Sequence, residues 1–347
     1  MSLLIPFIVS FLITIMALPP TIYLAKRYKL LDNPKLRPHP AHTQQRIVPR
    51  AGGLANFIGI VLTMLIFIPF GKHTLGIILG LVILLLVGLL DDKYHKISPY
   101  LRLLAQFAAA LAIVLSGIGI EFITNPLGGI IYLNKFVADI LALIWIVWVM
   151  NMINWSKGVD GQMPGIVTIA AFILGLLSLK INLFSDPQQI NVAKLAFITS
   201  ASSLGLLIFN WYPAKIFPGF SGSTILGFMI ATLSILSGAK LATAGLVLLI
   251  PATDFAYTFI RRILQGKSPV WGDRGHLHHR LLELGLSHPQ ISLFYILGSV
   301  ILGAAALSLS SQGKLFAAIL VATILLGTTL WLNFFGDLLK QPDPDNG

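Results

Sequence analysis

Residues 75–92 read Leu-Gly-Ile-Ile-Leu-Gly-Leu-Val-Ile-Leu-Leu-Leu-Val-Gly-Leu-Leu-Asp-Asp, a run of apolar residues and glycines that ends in two carboxylates. A helix needs roughly 20 mostly apolar residues to cross a bilayer, with a range of about 17 to 25. The whole chain shares this character, because 56% of its 347 residues are hydrophobic and only 11% are charged, against about 25% charged in ordinary globular chains. With a mean hydropathy of +0.85, the sequence predicts an integral membrane protein.

Ten other segments have the same apolar character. Together with residues 75–90 they give eleven predicted transmembrane helices, at 2–24, 52–70, 75–90, 102–118, 136–154, 164–180, 192–210, 222–236, 240–260, 291–310 and 315–334. The first segment lacks the basic region and cleavage site of a signal peptide, so we expect it to remain as a helix. The predicted fold class is an all-α, polytopic membrane helical bundle. We expect residues 1–347 to form a single membrane-embedded domain and 341–347 to be a flexible tail.

Lysine and arginine are unevenly distributed between the two sides of these segments. If the N-terminus lies outside, 18 of the 24 basic residues fall in cytoplasmic loops and the C-terminal tail. The other six are Lys72, Lys135, Lys180, Lys194, Lys240 and Lys314. Such a bias predicts an N-terminus outside and a C-terminus in the cytoplasm. The basic cytoplasmic face either binds anionic lipid headgroups or frames a site for an anionic substrate.

Two carboxylates, Asp91 and Asp92, end the third predicted helix. They are opposed by each other and by the negative end of the helix dipole, so a cation must compensate them. Either a nearby lysine or Arg102 neutralises them locally, or they bind a divalent ion or accept a proton. Arg102 and Gln106 are four residues apart on a predicted helix, so both can face the same site.

The segment at 151–165, Asn-Met-Ile-Asn-Trp-Ser-Lys-Gly-Val-Asp-Gly-Gln-Met-Pro-Gly, follows the fifth predicted helix. Asn151, Asn154 and Asp160 carry hard oxygen atoms of the kind that Mg²⁺ accepts. Glycine and asparagine are also ordinary turn formers. Taken alone, this segment does not decide between a metal site and a turn.

Histidines cluster in residues 271–280, Trp-Gly-Asp-Arg-Gly-His-Leu-His-His-Arg. On a helix, His276, His279 and Arg280 would share a face, and His278 would point elsewhere. Three histidines also suit zinc, but no further ligand stands at the spacing of a known zinc motif, and the chain has no cysteine. Hydrogen bonding and bidentate arginine contacts to phosphate fit the segment better.

Charged residues near the predicted cytoplasmic face occur at two further places. Asp254 lies within the ninth predicted helix, where an ionisable side chain indicates a functional site or pairs with a cation from another helix. The first loop is rich in proline and carries Arg46 and Arg50. Its prolines favour an ordered, extended segment over the site, although its charge alone would also suit lipid binding.

The polar motifs follow one another in a fixed order along the chain. They are Asp-x-Pro and Pro-Arg-x-Gly-Gly within 32–53; Asp91-Asp92 with Ser98-Pro99, Arg102 and Gln106; Asn-x-x-Asn and Gly-x-Asp-Gly within 151–161; Asn210, Pro213-Ala214 and Gly222-Ser223; Asp254 with Arg261-Arg262 and Ser268-Pro269; and Asp273 with His-Leu-His-His-Arg at 276–280. In this order they resemble the polyprenyl-phosphate N-acetylhexosamine-1-phosphate transferase family, of the glycosyltransferase family 4 type. The last motif is similar to the branch that transfers N-acetylglucosamine-1-phosphate to undecaprenyl phosphate, and less similar to the branch that transfers muramyl-pentapeptide.

The resemblance implies transfer of a sugar-1-phosphate from a UDP-N-acetylhexosamine to a polyprenyl phosphate at the cytoplasmic face of the plasma (inner) membrane. UMP would be released, and the product would initiate a cell-envelope glycan. The implied partners are these two substrates and the membrane, with no nucleic acid, and a homodimer is compatible with the resemblance. The alternatives are a catalytically degenerate family member or a transporter or lipid-binding protein. A transporter would need polar residues in several spans and repeat symmetry, which the sequence lacks.

The resemblance also implies roles for particular residues. Mg²⁺, or Mn²⁺ in its place, would be held by Asn154, Asp160, Asp91 and Asp92. Asp91 or Asp92 would deprotonate or orient the lipid phosphate, or form a covalent aspartyl phosphate, and Asp160 would also be catalytic. Phosphate oxygens would be bound by His276, His278 and His279. The remaining predicted substrate-binding residues are Arg46, Arg50, Arg102, Gln106, Asn151, Lys157, Asp254, Arg274 and Arg280.

Two positions depart from the family pattern. Lys157 and Phe220 stand where the family usually has aspartates, and the second of these aspartates is associated in the family with Mg²⁺. Another carboxylate could supply the missing ligand, or Lys157 could provide part of the positive charge that the metal would supply. Alternatively, the chain could be a binding protein without transferase activity. We expect a divergent, active enzyme.

Overall fold

The computed structural model describes residues 3–35, 43, 46–94, 97–125, 128–184, 189–238, 241–268 and 275–335. In this part of the chain, helices and short strands follow in the order α1 (Leu4–Arg27), β1 (Leu31–Asp32), β2 (Val48–Pro49), α2 (Gly52–Phe67), α3 (Lys72–Tyr94), α4 (Pro99–Leu115), β3 (Phe122–Thr124), β4 (Ile130–Tyr132), α5 (Lys135–Trp155), α6 (Gln162–Phe184), α7 (Gln189–Asn210), α8 (Gly219–Leu236), α9 (Leu241–Val247), α10 (Leu249–Leu264), α11 (Leu277–Glu283), α12 (His288–Ser308) and α13 (Ser311–Phe335). The tail predicted at 341–347 lies outside the described residues.

Eight of the described helices are long and apolar enough to cross a membrane, namely α1, α3, α5, α6, α7, α8, α12 and α13. The bent pair α9 and α10 would add a ninth span if the two helices cross as one. Helices α2 and α4 are apolar but shorter, at 16 and 17 residues. Each predicted transmembrane segment overlaps one of these helices or the bent pair. The prediction of an all-α, polytopic membrane protein is confirmed.

Helix α8 lies at the centre of the bundle. Of its residues, 94% are buried, and it packs against α5, α3 and α2. A helix that is apolar on all sides is stable when it is surrounded by other helices, and its hydroxyl groups bond within the bundle. Thr224, for example, donates its hydroxyl to the carbonyl of Phe220 at 2.8 Å. In contrast, only 11% of the apolar stretch of α13 is buried.

Two glycines allow α2 and α3 to approach the first turn of α8. A Cβ on Gly88 of α3 would lie 2.4 Å from the Cα of Ser221, and a Cβ on Gly53 of α2 would lie 2.3 Å from the backbone nitrogen of Gly222. Both distances are too short for non-bonded atoms, so neither position can accept a larger residue without moving a helix. This packing brings the polar end of α3 against the start of α8.

The ninth predicted helix is not continuous. The chain bends by 85° between α9 and α10, so residues 240–260 do not form the one continuous helix that was predicted there. Pro251 lies in the first turn of α10, and its missing N–H cannot bond to the carbonyl of Val247. Because of this bend, α10, which carries Asp254, runs in a different direction from α9.

The first loop is partly ordered by backbone pairing. Leu31 and Asp32 pair with Pro49 and Val48 in an antiparallel ladder, and the N–H of Phe217 donates to the carbonyl of Pro49 at 2.8 Å. The two paired stretches, 31–32 and 48–49, are therefore extended, as predicted for the loop. These bonds place Arg50 beside the segment that leads into α8.

Candidate active site

The carboxylate of Asp92, at the end of α3, caps the N-terminus of α8. One oxygen accepts the N–H of Phe220 at 2.7 Å, and the other accepts the N–H and the hydroxyl of Ser221 at 3.2 and 2.6 Å. A carboxylate at a helix N-terminus satisfies free N–H groups and is favoured by the helix dipole. Gly219 just before has a φ of +74°, and a Cβ there would lie 2.3 Å from this carboxylate. Glycine is therefore required for the contact.

Each carboxylate of the predicted pair has an arginine beside it. Arg102 of α4 lies 2.7 Å from Asp91, and Arg50 lies 3.5 Å from Asp92. The local cation that sequence reasoning required for Asp91 is thus Arg102. Its guanidinium also lies over the ring of Phe220, 5.4 Å from the centroid, which is a cation–π distance.

Lys157 reaches into the same cluster from the loop between α5 and α6. Its Nζ lies 2.6 Å from the side-chain oxygen of Asn154, 3.2 Å from the carbonyl of Gly219 and 3.4 Å from the hydroxyl of Ser223. Burial and the neighbouring Arg50 lower the pKa of Lys157 to about 7, although the nearby carboxylates act in the opposite direction. An anion bound beside this amine would favour its charged form.

The predicted substrate ligands Gln106 and Asn151 are bonded to each other. The amide of Asn151 donates to the side-chain oxygen of Gln106 at 2.8 Å and to the carbonyl of Val147 at 2.8 Å. Gln106 is 1% exposed. The pair links α4 to α5, and these contacts do not join it to the cations around Asp91.

Asp160 forms a clamp between three segments. One of its oxygens accepts from Arg46 of the first loop at 3.0 Å and from the backbone N–H of Ala214 at 2.9 Å. The backbone N–H of Asp160 donates to the ring nitrogen Nδ1 of His288 at 3.3 Å. Arg46 was predicted to bind substrate, but here its guanidinium is paired with Asp160 and lies over the ring of Tyr212.

The three histidines of the predicted phosphate-binding segment lie together. His276 and His278 stack with centroids 5.4 Å apart, and His278 and His279 are 4.4 Å apart. The prediction that His278 points elsewhere is wrong, because His276 has an extended backbone and α11 begins only at Leu277. The helical spacing assumed from the sequence therefore does not apply.

Asp254 holds the histidine cluster in place. One of its oxygens lies 3.2 Å from Nδ1 of His276, and the other accepts the N–H of Leu277 at 2.8 Å. Trp155, at the end of α5, packs edge-on against His276 with centroids 5.1 Å apart. The described contacts of Asp254 are thus with His276 and Leu277, and its predicted contact with substrate stays a prediction.

The loop after α5 lies directly against His278. A Cβ on Gly158 would fall 1.9 Å from the ring of His278. Burial, followed by the influence of His279, His276 and His288, holds the pKa of His278 well below its usual value of 6.5. His278 is therefore neutral at neutral pH, and its ring has one N–H donor and one acceptor.

The predicted arginine Arg280 is not part of these clusters. Arg280 donates to the side-chain oxygen of Asn333 on α13 at 2.8 Å and to Glu283 at 2.7 Å. The guanidinium of Arg280 therefore points toward the last helix and away from the histidines. The structure does not support the predicted contact of Arg280 with phosphate. Arg274 lies outside the described residues.

Sequence reasoning did not identify His288 or Ser221 as site residues. His288 stands at the start of α12, 128 positions from Asp160, and a Ser-His-Pro sequence there is an ordinary helix start. Ser221 lies in a Gly-rich stretch whose side chains cannot be placed without knowing which helix packs against it. Ser223 was noted only as part of a motif, and its contact with Lys157 was not predicted.

Comparison with known proteins places the chain in a family. The sequence model of glycosyl transferase family 4 matches residues 74–238. A Bacillus subtilis protein, named a probable undecaprenyl-phosphate N-acetylglucosaminyl 1-phosphate transferase, is 31% identical over 338 residues, which cover 95% of this chain and 86% of the relative. The chain belongs to glycosyl transferase family 4. The predicted resemblance is confirmed.

Two other relatives of this family 4 chain carry similar names. A decaprenyl-phosphate N-acetylglucosaminephosphotransferase of Mycolicibacterium smegmatis is 29% identical, over 84% of this chain and 78% of the relative. An undecaprenyl-phosphate alpha-N-acetylglucosaminyl 1-phosphate transferase of Escherichia coli is 27% identical, over 80% and 76% of the two chains.

The predicted magnesium ligands of this family 4 chain do not form a cage for a divalent ion. Asp160 is bound in its clamp, Asp92 accepts three bonds from α8, and the oxygen of Asn154 accepts from Lys157 and from Ser223. Within the described ranges no group of three or more His, Asp or Glu side chains could hold a metal ion. Mg²⁺ requires near-octahedral oxygen ligands at about 2.0–2.1 Å, and these donors do not fit that requirement.

Proposed function

We propose that this chain transfers an N-acetylhexosamine-1-phosphate from a UDP-sugar to a polyprenyl phosphate, such as undecaprenyl phosphate, and releases UMP. The names of the family 4 relatives support this assignment. The observation that carries it is the arrangement of Arg50, Arg102 and Lys157 around the buried pair Asp91 and Asp92. Such a group of cations suits a reaction in which two phosphorylated substrates meet.

In the proposed reaction, an oxygen of the lipid phosphate attacks the β-phosphorus of the UDP-sugar. The bond between this phosphorus and the oxygen that bridges it to UMP breaks, and the sugar-1-phosphate becomes attached to the lipid phosphate. Phosphoryl transfer requires mainly positioning and charge stabilisation. The three cations would reduce the repulsion between the substrates and stabilise the charge that develops on the departing UMP.

Asp91 is the better candidate for orienting or deprotonating the lipid phosphate. Both oxygens of Asp92 accept hydrogen bonds at the N-terminus of α8, so we assign Asp92 a positioning role. A covalent route through an aspartyl phosphate on Asp91 is the alternative mechanism. Mass spectrometry of protein quenched with UDP-N-acetylglucosamine, in the absence of lipid acceptor, would detect that intermediate.

The histidine cluster would bind phosphate oxygens, and His278 would do so through a neutral ring. Asp254 fixes the orientation of His276, and Gly158 lies against His278. Because the same loop carries Lys157 and Gly158, it connects the cation cluster to the histidines. A phosphate pair bound between the two clusters would contact both.

We further propose that eleven helices cross the plasma membrane, with the N-terminus outside, the C-terminus and the site in the cytoplasm, and the chain as a single domain. The distribution of lysine and arginine supports this topology. The chain has no cysteine, so single cysteines introduced at Lys215 and Lys314 can be labelled in intact cells with a membrane-impermeant maleimide. Labelling of the Lys314 variant alone is expected. Labelling of the Lys215 variant alone would reverse the orientation, and labelling of both would overturn the span count.

Dependence on Mg²⁺ or Mn²⁺ stays a prediction, as does a homodimer, which light scattering of purified protein would test. When bound with a nucleotide, a divalent ion supplies charge neutralisation at the pyrophosphate. The steps above assign no role to such an ion, because the protein donors described here do not fit it.

The proposed function is tested with purified protein, radiolabelled UDP-N-acetylglucosamine and undecaprenyl phosphate. We expect a labelled lipid product and an equal amount of UMP. A panel of other UDP-N-acetylhexosamines identifies the donor. Nucleotide binding without turnover of any donor would instead indicate a degenerate family member, and absence of both would overturn the proposal.

A further inference from the structure

The charged cluster at the junction of α3, α4 and α8 holds three cations and three carboxylates. Arg50, Arg102 and Lys157 lie with Asp91 and Asp92, and Asp32 lies 3.6 Å from Arg50. These charges balance when the lysine is protonated, so the cluster has no excess negative charge that would hold a divalent cation. An anion that reaches the cations first is attracted to them.

The cations, and not the carboxylates, form the accessible face of this cluster. The side chains of Asp91 and Asp92 are 2% and 0% exposed, whereas those of Arg102 and Arg50 are 26% and 14% exposed. Lys157 is also only partly buried. A ligand entering from solvent therefore meets the two guanidiniums before it meets a carboxylate oxygen.

The amine of Lys157 occupies the position that a metal would need at Asn154. It lies 2.6 Å from the amide oxygen that was predicted to coordinate Mg²⁺. Ser223 also donates to this oxygen at 2.7 Å, so its lone pairs are directed at two protein groups. A divalent ion could bind there only by displacing a positively charged side chain of the same protein.

The two departures from the family pattern, at Lys157 and Phe220, both make the local charge more positive. Lysine at 157 in place of aspartate makes the local charge more positive by two, and phenylalanine at 220 in place of aspartate makes it more positive by one. Phe220 is 3% exposed and stacks under Arg102, so the second position carries a cation partner instead of a metal ligand. Together these changes convert a cluster suited to a dication into one suited to a phosphate.

We propose that the ammonium of Lys157, together with Arg50 and Arg102, binds a phosphate of the UDP-sugar directly, in place of a protein-bound divalent metal. This inference rests on the proposed function, since it assigns a role within the same site. A phosphate oxygen would replace the hydroxyl of Ser223, which is the longest of the three contacts of Lys157 at 3.4 Å. Asn154 would keep the amine in place through its 2.6 Å contact.

The first test measures binding of UDP-N-acetylglucosamine by isothermal titration calorimetry, in EDTA and in excess Mg²⁺. Wild-type protein is expected to bind with similar affinity in both buffers. Lys157→Gln should weaken binding in EDTA by about tenfold or more, because a charge-assisted contact is lost. Lys157→Arg should recover part of it. Lys215→Gln is the matched control, since Lys215 is exposed and was given no role at the site.

The second test asks directly whether the protein holds a metal. Mn²⁺ binding, followed by electron paramagnetic resonance, is expected to be absent from the wild type and present in the double variant Lys157→Asp with Phe220→Asp. The double variant should also require Mg²⁺ to bind the UDP-sugar. Stoichiometric Mn²⁺ binding by the wild type, lost on Asp91→Asn, would overturn the inference without any measurement of transfer.

The outcomes separate this inference from the proposed function. Binding that requires Mg²⁺ in the wild type and is unchanged in Lys157→Gln overturns the role of Lys157 but leaves transferase function standing. EDTA-resistant binding that depends on Lys157, without turnover, supports the role of Lys157 and contradicts the proposed transfer. Absence of UDP-sugar binding in every buffer overturns both.

Discussion

Ser221 donates both its backbone N–H and its hydroxyl to the same oxygen of Asp92, at 3.2 and 2.6 Å. Because Asp92 ends α3 and Ser221 lies in the first turn of α8, these bonds tie two helices together at the polar end of the bundle. The adjacent Asp91 makes a different kind of contact, an ion pair with Arg102. Two consecutive carboxylates thus make different contacts, one with the start of a neighbouring helix and one with a cation, in line with the separate roles proposed for them.

Replacement of Asp92 by alanine should destabilise the protein. The N–H groups at the start of α8 would be left without their acceptor, and Arg50 would keep only its contact with Asp32, at a cost of about 1–3 kcal/mol. Thermal unfolding in detergent measures the loss. Ser221→Ala is the matched control, because it keeps both backbone donors and should lower the midpoint less. An unchanged midpoint in Asp92→Ala would remove its structural role.

Replacement of Asp91 by asparagine should reduce transfer with little change in thermal stability. Asparagine has nearly the same shape, but it cannot take a proton or hold Arg102 by charge, so we expect a loss of about 100-fold or more in kcat. The rate of formation of labelled lipid product is the measurement. Full activity in this variant would place the carboxylate function elsewhere.

Gly158→Ala should impair transfer through His278. The new methyl group would lie 1.9 Å from the imidazole, and displacement of a binding group by about 1 Å can lower the rate by about 100-fold. Gly245→Ala is the control, since its Cβ would meet nothing within 4 Å and alanine suits the interior of α9 better than glycine. Equal activity of the two variants would contradict the role of the Gly158 contact.

Asp160→Asn should lower the stability of the protein, because Asp160 joins three segments, and it should not change the dependence of transfer on Mg²⁺. Weakening the bonds to Arg46 and to Ala214 should cost about 1–3 kcal/mol of stability. The Mg²⁺ concentration that gives half-maximal transfer, where Mg²⁺ has any effect, should not change. A large shift in that concentration would instead indicate that Asp160 binds the metal.

The buried histidine cluster should make stability depend on pH. The pKa of His278 is lowered in the folded protein, so below about pH 6.5 the unfolded chain takes up a proton that the folded chain refuses. The contribution of His278 to stability should therefore fall as the pH falls below this value and be constant above it. Thermal unfolding across this range measures the slope, and His278→Asn should flatten it. An identical slope in that variant would assign the effect to other groups.

The positions of the helices could be predicted because a membrane helix has a local signal in the sequence, namely a long run of apolar residues. Every predicted segment overlaps a described helix or the bent pair. The bend before α10 was missed, although Pro251 was visible, because one proline within an apolar run does not reveal whether the chain kinks slightly or turns by 85°.

The candidate site was predicted in part. Asp91, Arg102 and the histidines were found because charged and polar residues are rare in such a chain. Their contacts were harder to predict, because they depend on which helices pack together. Asp160 contacts His288, and Arg280 contacts Asn333 on the last helix. Both pairs are far apart in the sequence, and no regular spacing predicts either contact.

The conformation of single residues limited the prediction for the histidines. The sequence suggested a helical face that would separate His276 from His278, but His276 precedes the helix with extended backbone angles. The metal assignment stays a prediction, and the surroundings of Asn154 could not be predicted for a different reason. Asn154 has the right chemistry for Mg²⁺, but the amine of Lys157 lies on its oxygen.

The central position of α8 has a consequence for how the protein tolerates different lipids. Bilayers of unequal thickness act on helices that face lipid, by tilting or bending them. The first turn of α8 carries the site residues, and this helix is shielded on all sides, whereas α13 is the most lipid-exposed of the long helices. The outer helices can therefore adapt to bilayer thickness while the reacting groups keep their spacing, and transfer rates should vary little between nanodiscs of short-chain and long-chain lipids.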